Sequence, residues 1–213
     1  METLRDLVDV FLHVDKHLAE IVASYGLLTY AILFAIVFCE TGLVVTPFLP
    51  GDSLLFAAGA LCTTTELSIS ILIPLLIVAA ILGDAVNYWI GFLVGPGFLE
   101  KGKVRFIKRE HLERTQAFYA RHGGKTIILA RFIPILRTFA PFVAGIGRMN
   151  PAHFFAYNVA GGILWVVSFS LLGYFFGSMP VVKHNFSLVV LGIIVLSVLP
   201  IVIKLFQRKP PPT

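Results

Sequence analysis

The sequence has few charged residues and almost no cysteine. Asp, Glu, Lys and Arg make up 14% of its 213 residues, and it has 2 cysteines. Soluble domains carry about 25% charged residues, so the composition excludes an ordinary soluble enzyme and a disordered chain. Cys39 and Cys62 both lie in apolar stretches, which excludes a disulfide-stapled secreted scaffold and favours small buried thiols.

Apolar residues are abundant: 57% of the chain is apolar and 19 residues are phenylalanine. A soluble fold of this size could not keep so much apolar surface from water. The composition therefore predicts an all-α integral membrane protein, with one polytopic domain over 1–213. The net charge of +5 is explained by Lys and Arg in cytoplasmic loops. No soluble basic module is present, so no nucleic-acid partner is expected.

Hydropathy divides the chain into two halves joined by a basic loop. The predicted parts are an amphipathic interfacial helix at 1–20, a first half at 21–98 with a re-entrant hairpin at about 41–62, a basic cytoplasmic loop at 99–125, a second half at 126–177 with a hairpin at about 126–148, a last span at 187–206, and a cytoplasmic tail at 207–213. Apolar runs at 21–39, 69–95 and 153–177 are long enough to cross a bilayer.

Proline breaks the helix in both hairpins. Pro47, Pro50 and Gly51 interrupt the first, and Pro134 and Pro141 interrupt the second. Proline has no N–H to donate and clashes with the preceding turn. The apolar pieces on either side are too short to span alone. Such backbone is tolerated at membrane depth only where protein buries it or water reaches it.

The two hairpins resemble each other in sequence. The matching segments are Phe48-Leu49-Pro50 with Phe132-Ile133-Pro134, and Phe56-Ala57-Ala58-Gly59 with Phe142-Val143-Ala144-Gly145. With both termini in the cytoplasm, the first hairpin enters from outside and the second from inside. An inverted repeat of this kind is typical of transporters with a site at the midplane. Chance similarity between short Pro/Gly segments is the alternative.

Five ionisable residues lie at predicted membrane depth: Glu40, Asp52, Asp84, Arg131 and Arg137. An isolated charge at the bilayer centre costs about 2.5–3.5 kcal/mol or more. These groups must therefore pair with one another, be hydrated or bind a ligand. All three acids lie in the first half and both arginines in the second. Docking of the two halves would bring opposite charges together.

The arginines are candidates for binding a phosphate headgroup. Pro134 lies between Arg131 and Arg137 and can let both side chains converge. Guanidinium groups bind phosphate through forked hydrogen bonds, and a helix beginning near Gly51 and Ser53 would add backbone amides. Three acids against two arginines leave one carboxylate in excess. We therefore expect Glu40 or Asp52 to carry a proton.

Plainer roles remain open for several of these residues. Asp52 is also a candidate helix N-cap, Asp84 with Asn87 and Tyr88 a helix-packing cluster, and Arg131 a snorkelling side chain. Trp89 and Trp165 are interpreted as packing and interface anchors. Residues expected to support the site are Pro50, Gly51, Ser53, Asp84, Asn87, Pro134, Thr138 and Pro141.

No metal or cofactor is expected. His13 and His17 have the spacing of a metal-binding pair on a helix, but no third ligand lies nearby. The chain is also not expected to be an enzyme, because no nucleophile–base pair is apparent.

The sequence resembles the DedA family of bacterial inner-membrane proteins over nearly its whole length. The motifs that carry the resemblance are Phe38-Cys39-Glu40-Thr41-Gly42, Pro47-Phe48-Leu49-Pro50-Gly51-Asp52-Ser53, Gly83-Asp84-Ala85-Val86-Asn87-Tyr88, His122-Gly123-Gly124-Lys125, Ala130-Arg131-Phe132-Ile133-Pro134 and Arg137-Thr138-Phe139-Ala140-Pro141-Phe142-Val143-Ala144-Gly145. Together these motifs are highly specific.

The resemblance implies two oppositely oriented re-entrant hairpins, as in eukaryotic lipid scramblases. It also implies recycling of undecaprenyl phosphate between leaflets of the cytoplasmic membrane, driven by the proton-motive force. The family's acidic pair matches Glu40 and Asp52, and its arginine pair matches Arg131 and Arg137. Membrane lipids and protons are the implied partners, with phosphatidylethanolamine a second candidate lipid. A homo-oligomer is left open.

Two other functions are compatible with the same charges. The first is a proton-coupled carrier of a small ion or solute, which would need no lateral opening for a lipid tail. The second is a membrane-organising protein without transport activity, in which the charges serve stability alone.

Overall fold

The computed structural model describes residues 14–43, 51–100, 124–177, 179–185, 188–189 and 191–192, and within these ranges it contains helices and no strand. The helices are α1 (Val14–Tyr25), α2 (Leu28–Gly42), α3 (Gly51–Leu61), α4 (Ile69–Glu100), α5 (Lys125–Ala130), α6 (Pro134–Ile146), α7 (Pro151–Phe176) and α8 (Pro180–His184). The predicted all-α class is confirmed for this part of the chain.

Two helices are long and apolar enough to cross a membrane: Ile69–Val94 within α4, and Pro151–Phe176, which is α7. They match the spans predicted at 69–95 and 153–177. One third of the most apolar part of each helix is buried in the bundle, so large side chains such as Leu93 and Phe175 point outward. This outer surface suits a lipid environment better than water.

Asparagine and proline fix the start of α7. The Asn150 side chain accepts hydrogen bonds from the backbone N–H groups of Ala152 and His153, at 2.9 and 3.2 Å. Pro151 takes the first helical position, where no N–H is needed. In the same way α6 begins at Pro134, after an extended Ile133. Of the prolines that the sequence offers as breaks, Pro134 therefore sets a helix start. The helix α6 continues through Pro141, so the predicted interruption there is wrong.

The apolar run predicted as one span at 21–39 is interrupted, so that prediction is wrong. The helix α1 ends at Tyr25 and α2 begins at Leu28. Gly26 between them has φ +52°, a left-handed conformation that glycine adopts without strain and that commonly ends a helix. The first arm before the proline break is thus α2, which ends after Glu40 at Gly42 rather than beginning near residue 41.

Several predicted parts lie wholly or mainly outside the described residues. These are positions 1–13 of the interfacial helix, the first hairpin's break at 44–50 with Pro47 and Pro50, the basic loop at 101–123, most of the last span at 187–206, and the tail. Residues 14–20 of the predicted interfacial helix belong to α1.

The two halves pack reciprocally. The helix α3 of the first half packs on α7 of the second half, and α6 of the second half packs on α4 of the first. The helices α2 and α5 pack on the long helices of their own halves, α4 and α7. Glu40 and Asp52 in the first half, and Arg137 in the second, are thereby brought to one interior.

Glycines set the distance between α3 and α7 and between α6 and α4. A Cβ atom added at any of four glycines would collide with a backbone carbonyl of the facing helix, pairing Gly59 with Ser170, Gly173 with Phe56, Gly145 with Tyr88, and Gly91 with Phe142. Gly59 and Gly145 end the two matching sequence segments noted above. Matched crossings at matched positions favour a true internal repeat over chance similarity.

Alanine at either repeat glycine should destabilise the protein. We expect Gly59→Ala and Gly145→Ala each to lower the free energy of unfolding by about 1–3 kcal/mol, because the new methyl group must push two backbones apart. Thermal unfolding of the detergent-purified protein measures this. Gly192→Ala is the matched control, since a Cβ there meets nothing within 4 Å. Equal stability of all three variants would contradict the close crossings.

Candidate functional site

Arg137, on α6 of the second half, forms ion pairs with residues of α2 and α3 in the first half. Its Nη1 lies 2.8 Å from Oδ1 of Asp52 on α3, and its Nη2 donates to Oε1 of Glu40 on α2. The arginine is 2% exposed, and both carboxylates are buried. Acids of the first half thus meet an arginine of the second, as the charge distribution predicts.

Trp165 completes this cluster, and sequence reasoning missed it. Its indole Nε1 donates to Oδ1 of Asp52 at 2.7 Å, and the Arg137 guanidinium carbon lies 4.8 Å from the centre of the tryptophan ring. A cation over an aromatic face is attracted to it. Trp165 is 0% exposed and packs in the core, so its interpretation as a packing residue is confirmed and that as an interface anchor is wrong. Trp89, at 47% exposed, faces outward as predicted.

Glu40 occupies the start of α3. The backbone N–H of Gly51 donates to Oε1 of Glu40 at 2.9 Å, and a Cβ at Gly51 would collide with this carboxylate. A negative charge is favoured at a helix N-terminus. The backbone amide expected to bind phosphate therefore holds a carboxylate of the protein itself. Asp52, in the first turn of α3, bonds across to Arg137 and Trp165.

Arg131 belongs to a second cluster. Its Nη2 lies 2.5 Å from Oδ2 of Asp84 on α4, and the same nitrogen donates to Oδ1 of Asn158 on α7. A Cβ at Gly161 would lie 3.1 Å from Cδ of Arg131, so this glycine leaves room for the arginine along α7. Arg131 is 1% exposed, which contradicts the snorkelling alternative. Asn158 was missed, although a polar residue in an apolar span was the available signal.

Asn87 links two short helices near the clusters. Its Nδ2 donates to the carbonyl of Thr41 on α2 at 3.1 Å and to the carbonyl of Thr138 on α6 at 2.8 Å. Tyr88 instead donates to the carbonyl of Met149 at 2.5 Å. Asp84, Asn87 and Tyr88 therefore each bond α4 to other parts of the bundle, as the helix-packing alternative predicts.

The other predicted supporting residues have different places. Ser53 is buried in the first turn of α3, and its hydroxyl has no hydrogen-bond partner among the described residues. Pro134 begins α6, and Pro141 lies inside it, where it supplies no N–H to the carbonyl of Arg137 one turn earlier. Pro50 lies outside the described residues.

Several buried atoms of the clusters lack a partner among the described residues. They are Oε2 of Glu40, Oδ1 of Asp84, Nε and Nη1 of Arg131, and Nε of Arg137. Buried polar atoms normally have a hydrogen-bond partner, and leaving one without costs about 1–3 kcal/mol. Three carboxylates against two guanidiniums also leave one formal negative charge. The clusters therefore hold both spare donors, which suit an anion, and a spare carboxylate, which suits a proton.

The structure pairs each arginine with different acids. Arg131 and Arg137 are near enough to influence each other electrostatically, as are Arg137 and Asp84. They share no carboxylate partner, so the predicted pair of converging guanidiniums is divided between two adjoining clusters. A ligand that touched both arginines would have to rearrange at least one of these ion pairs.

Comparison with known proteins shows the family. Residues 49–175 match the VTT domain model. The chain is 56% identical over 211 residues to Protein DedA of Escherichia coli K12, covering 98% of this chain and 96% of that protein. It is 43% identical to an uncharacterized membrane protein of Mycobacterium leprae, covering 79% and 75%. It is 34% identical to the inner membrane protein YqjA of Escherichia coli K12, covering 85% and 82%.

No solved structure matches the chain. The matched domain covers more than half of the sequence, and the similarity to Protein DedA extends over nearly all of it. The chain is therefore a membrane protein that belongs to the DedA family.

Proposed function

We propose that this protein moves a phosphorylated membrane lipid between the leaflets of the bacterial cytoplasmic membrane. Undecaprenyl phosphate is the substrate that the family resemblance implies, with phosphatidylethanolamine as the second candidate. Transport uses the proton-motive force, and both termini lie in the cytoplasm. The protein acts as a transporter rather than an enzyme, and the buried ion pairs between its two halves are the groups that we propose to bind the headgroup.

One observation carries the proposal: buried guanidinium N–H groups without a partner. Nε and Nη1 of Arg131 and Nε of Arg137 are buried donors with no acceptor among the described residues. Arginine donors in a forked arrangement match the oxygens of a phosphate group. Because these donors lie between the two halves, a headgroup bound there would contact both halves at once.

The short helices are suited to re-entrant hairpins. At about 1.5 Å per residue, the 15 residues of α2 reach about 22 Å, less than the roughly 30 Å hydrocarbon core. The helices α3 and α6 are shorter still. We propose that the pairs α2–α3 and α5–α6 enter the bilayer from opposite sides. The reciprocal packing of α3 on α7 and of α6 on α4 supports this inverted arrangement.

Transport then requires the two halves to move against each other. The phosphate headgroup binds at Arg131 and Arg137, while the polyprenyl tail stays in lipid through a lateral opening between helices. The halves rock at the glycine crossings and expose the site to each side in turn. Protonation of Glu40 or Asp52 changes the charge of the Arg137 cluster and resets the cycle.

Replacing Arg137 by lysine should slow lipid transport while keeping the protein folded. Lysine retains the buried positive charge but loses the forked donors. A hydrogen bond to a charged group contributes about 1.5–3 kcal/mol, so we expect leaflet exchange of labelled undecaprenyl phosphate in liposomes to slow about 10- to 100-fold. Arg148→Lys is the matched control, because Arg148 is exposed.

Equal rates in the two lysine variants would contradict the headgroup site. Absence of lipid movement in the unchanged protein under any pH gradient, with uptake of a soluble anion instead, would favour the solute carrier.

A paired substitution separates the binding role of Arg131 from its structural role. Arg131→Met alone leaves Asp84 as an uncompensated buried charge, so we expect a loss of about 3–5 kcal/mol in stability. Adding Asp84→Leu removes that charge and should restore most of the loss, as thermal unfolding would show. Lipid exchange should stay impaired in the restored double variant. Full exchange there would show that Arg131 serves stability alone.

A further inference from the structure

We propose that Glu40 carries the transported proton, that Asp52 stays ionised, and that Trp165 is the positioning residue that keeps these roles apart. Ionised Glu40 would also compete with the lipid phosphate for the same donors. This inference rests on the proposed lipid transport. It goes further, because it assigns the coupling to one carboxylate and gives the physical reason for it.

The two carboxylates share Arg137 but have different surroundings. Oδ1 of Asp52 accepts from Nη1 of Arg137 at 2.8 Å and from Nε1 of Trp165 at 2.7 Å. An indole N–H can donate but never accept. A proton placed on this oxygen would have to displace one of these donors. Neither oxygen of Asp52 is among the buried atoms that lack a partner, and Asp52 has a further interaction besides these two.

Glu40 has an oxygen available for a proton. Its Oε1 accepts from the Gly51 amide and from Arg137. Its Oε2 is buried and has no hydrogen-bond partner among the described residues. Protonation at Oε2 therefore displaces no donor, while it removes the charge that holds Oε1 against Arg137 and the start of α3.

Ionised Glu40 occupies the place of an incoming anion. The charged groups that face it are Arg137 on α6 and Asp52 on α3, and Asp84 on α4 acts on it through Arg137. With Glu40 ionised, the Arg137 cluster has a net charge of −1 and its Gly51 amide is taken. With Glu40 protonated, the cluster is neutral and these donors can turn to a phosphate. Proton binding and phosphate binding therefore favour each other.

Trp165 contacts both Arg137 and Asp52. Its ring lies against Arg137 and its N–H binds Asp52, so one buried side chain orients both members of the pair that stays charged. Replacing it by phenylalanine keeps a ring beneath the guanidinium but removes the donor. Oδ1 of Asp52 then keeps the charged donor Arg137 and loses the neutral one.

The first experiment measures binding of labelled undecaprenyl phosphate to the full-length protein in lipid nanodiscs across a pH series. For the unchanged protein, Kd should rise by up to about tenfold per pH unit above the pH at which Glu40 loses its proton. Glu40→Gln should bind tightly at high pH and retain only the titration of the phosphate itself, near pH 6 by its second ionisation. Asp52→Asn should bind more tightly, because a negative charge beside Arg137 is removed, but keep the Glu40-dependent slope.

Trp165→Phe is compared with Trp89→Phe, an outward-facing tryptophan on α4. We expect Trp165→Phe to change the shape of the Kd–pH profile, because Asp52 can now also take a proton. Trp89→Phe should keep the profile of the unchanged protein. A purely structural role for Trp165 would raise Kd equally at every pH, and that result would overturn its assignment as a positioning residue.

Infrared difference spectroscopy of the lipid-free protein tests the proton assignment independently of the substrate. A protonated-carboxyl band that appears on acidification should be absent in Glu40→Gln and present in Asp52→Asn. The reverse pattern would overturn the assignment. If the Glu40 band behaves as expected while no variant binds undecaprenyl phosphate at any pH, the lipid proposal fails and the assignment of the proton site stands.

Discussion

The ion pair network around Arg137 is the interaction on which the arrangement of the two halves depends. A buried guanidinium is costly unless charged partners surround it, and its partners lie on α2 and α3 of the other half. The first half likewise buries Glu40 and Asp52, which need a positive charge it does not have among its described buried residues. Neither half is electrostatically complete alone, so the docked arrangement is a requirement of charge as much as of packing.

This dependence could be predicted from the sequence, because acids in one half and arginines in the other leave few ways to neutralise charge at membrane depth. The long helices α4 and α7 followed from length and hydropathy, and the start of α6 from Pro134. Which arginine meets which acid could not be predicted, because the proline breaks leave the rotation of each short helix undetermined. The hydrogen bond from the indole N–H of Trp165 to Asp52 could not be predicted either, since the direction of this N–H depends on how α7 packs on α3. The break at Gly26 was missed because apolar residues continue on both sides of it.

The buried cluster atoms that lack a hydrogen-bond partner bear on both stability and function. A network designed for stability alone would satisfy every buried donor and acceptor. Here five unsatisfied atoms lie on the arginines and on two of the three acids, which indicates a network that accepts a further partner. Glu40 at the start of α3 makes the site self-occupied when no ligand is present, so an anion must exchange with a group of the protein. The glycine crossings place this exchange between two pairs of closely packed helices, where a small change in one ion pair can be passed to both halves.

A structure of the protein in a lipid nanodisc with bound undecaprenyl phosphate, determined by electron cryomicroscopy, would test the central claim most directly. We predict that the phosphate lies within hydrogen-bond distance of Arg137 and that the Glu40 carboxylate has moved away from the Gly51 amide. A phosphate bound elsewhere, with the contacts of Arg137 to Glu40 and Asp52 unchanged, would contradict the claim that this cluster recognises the lipid headgroup.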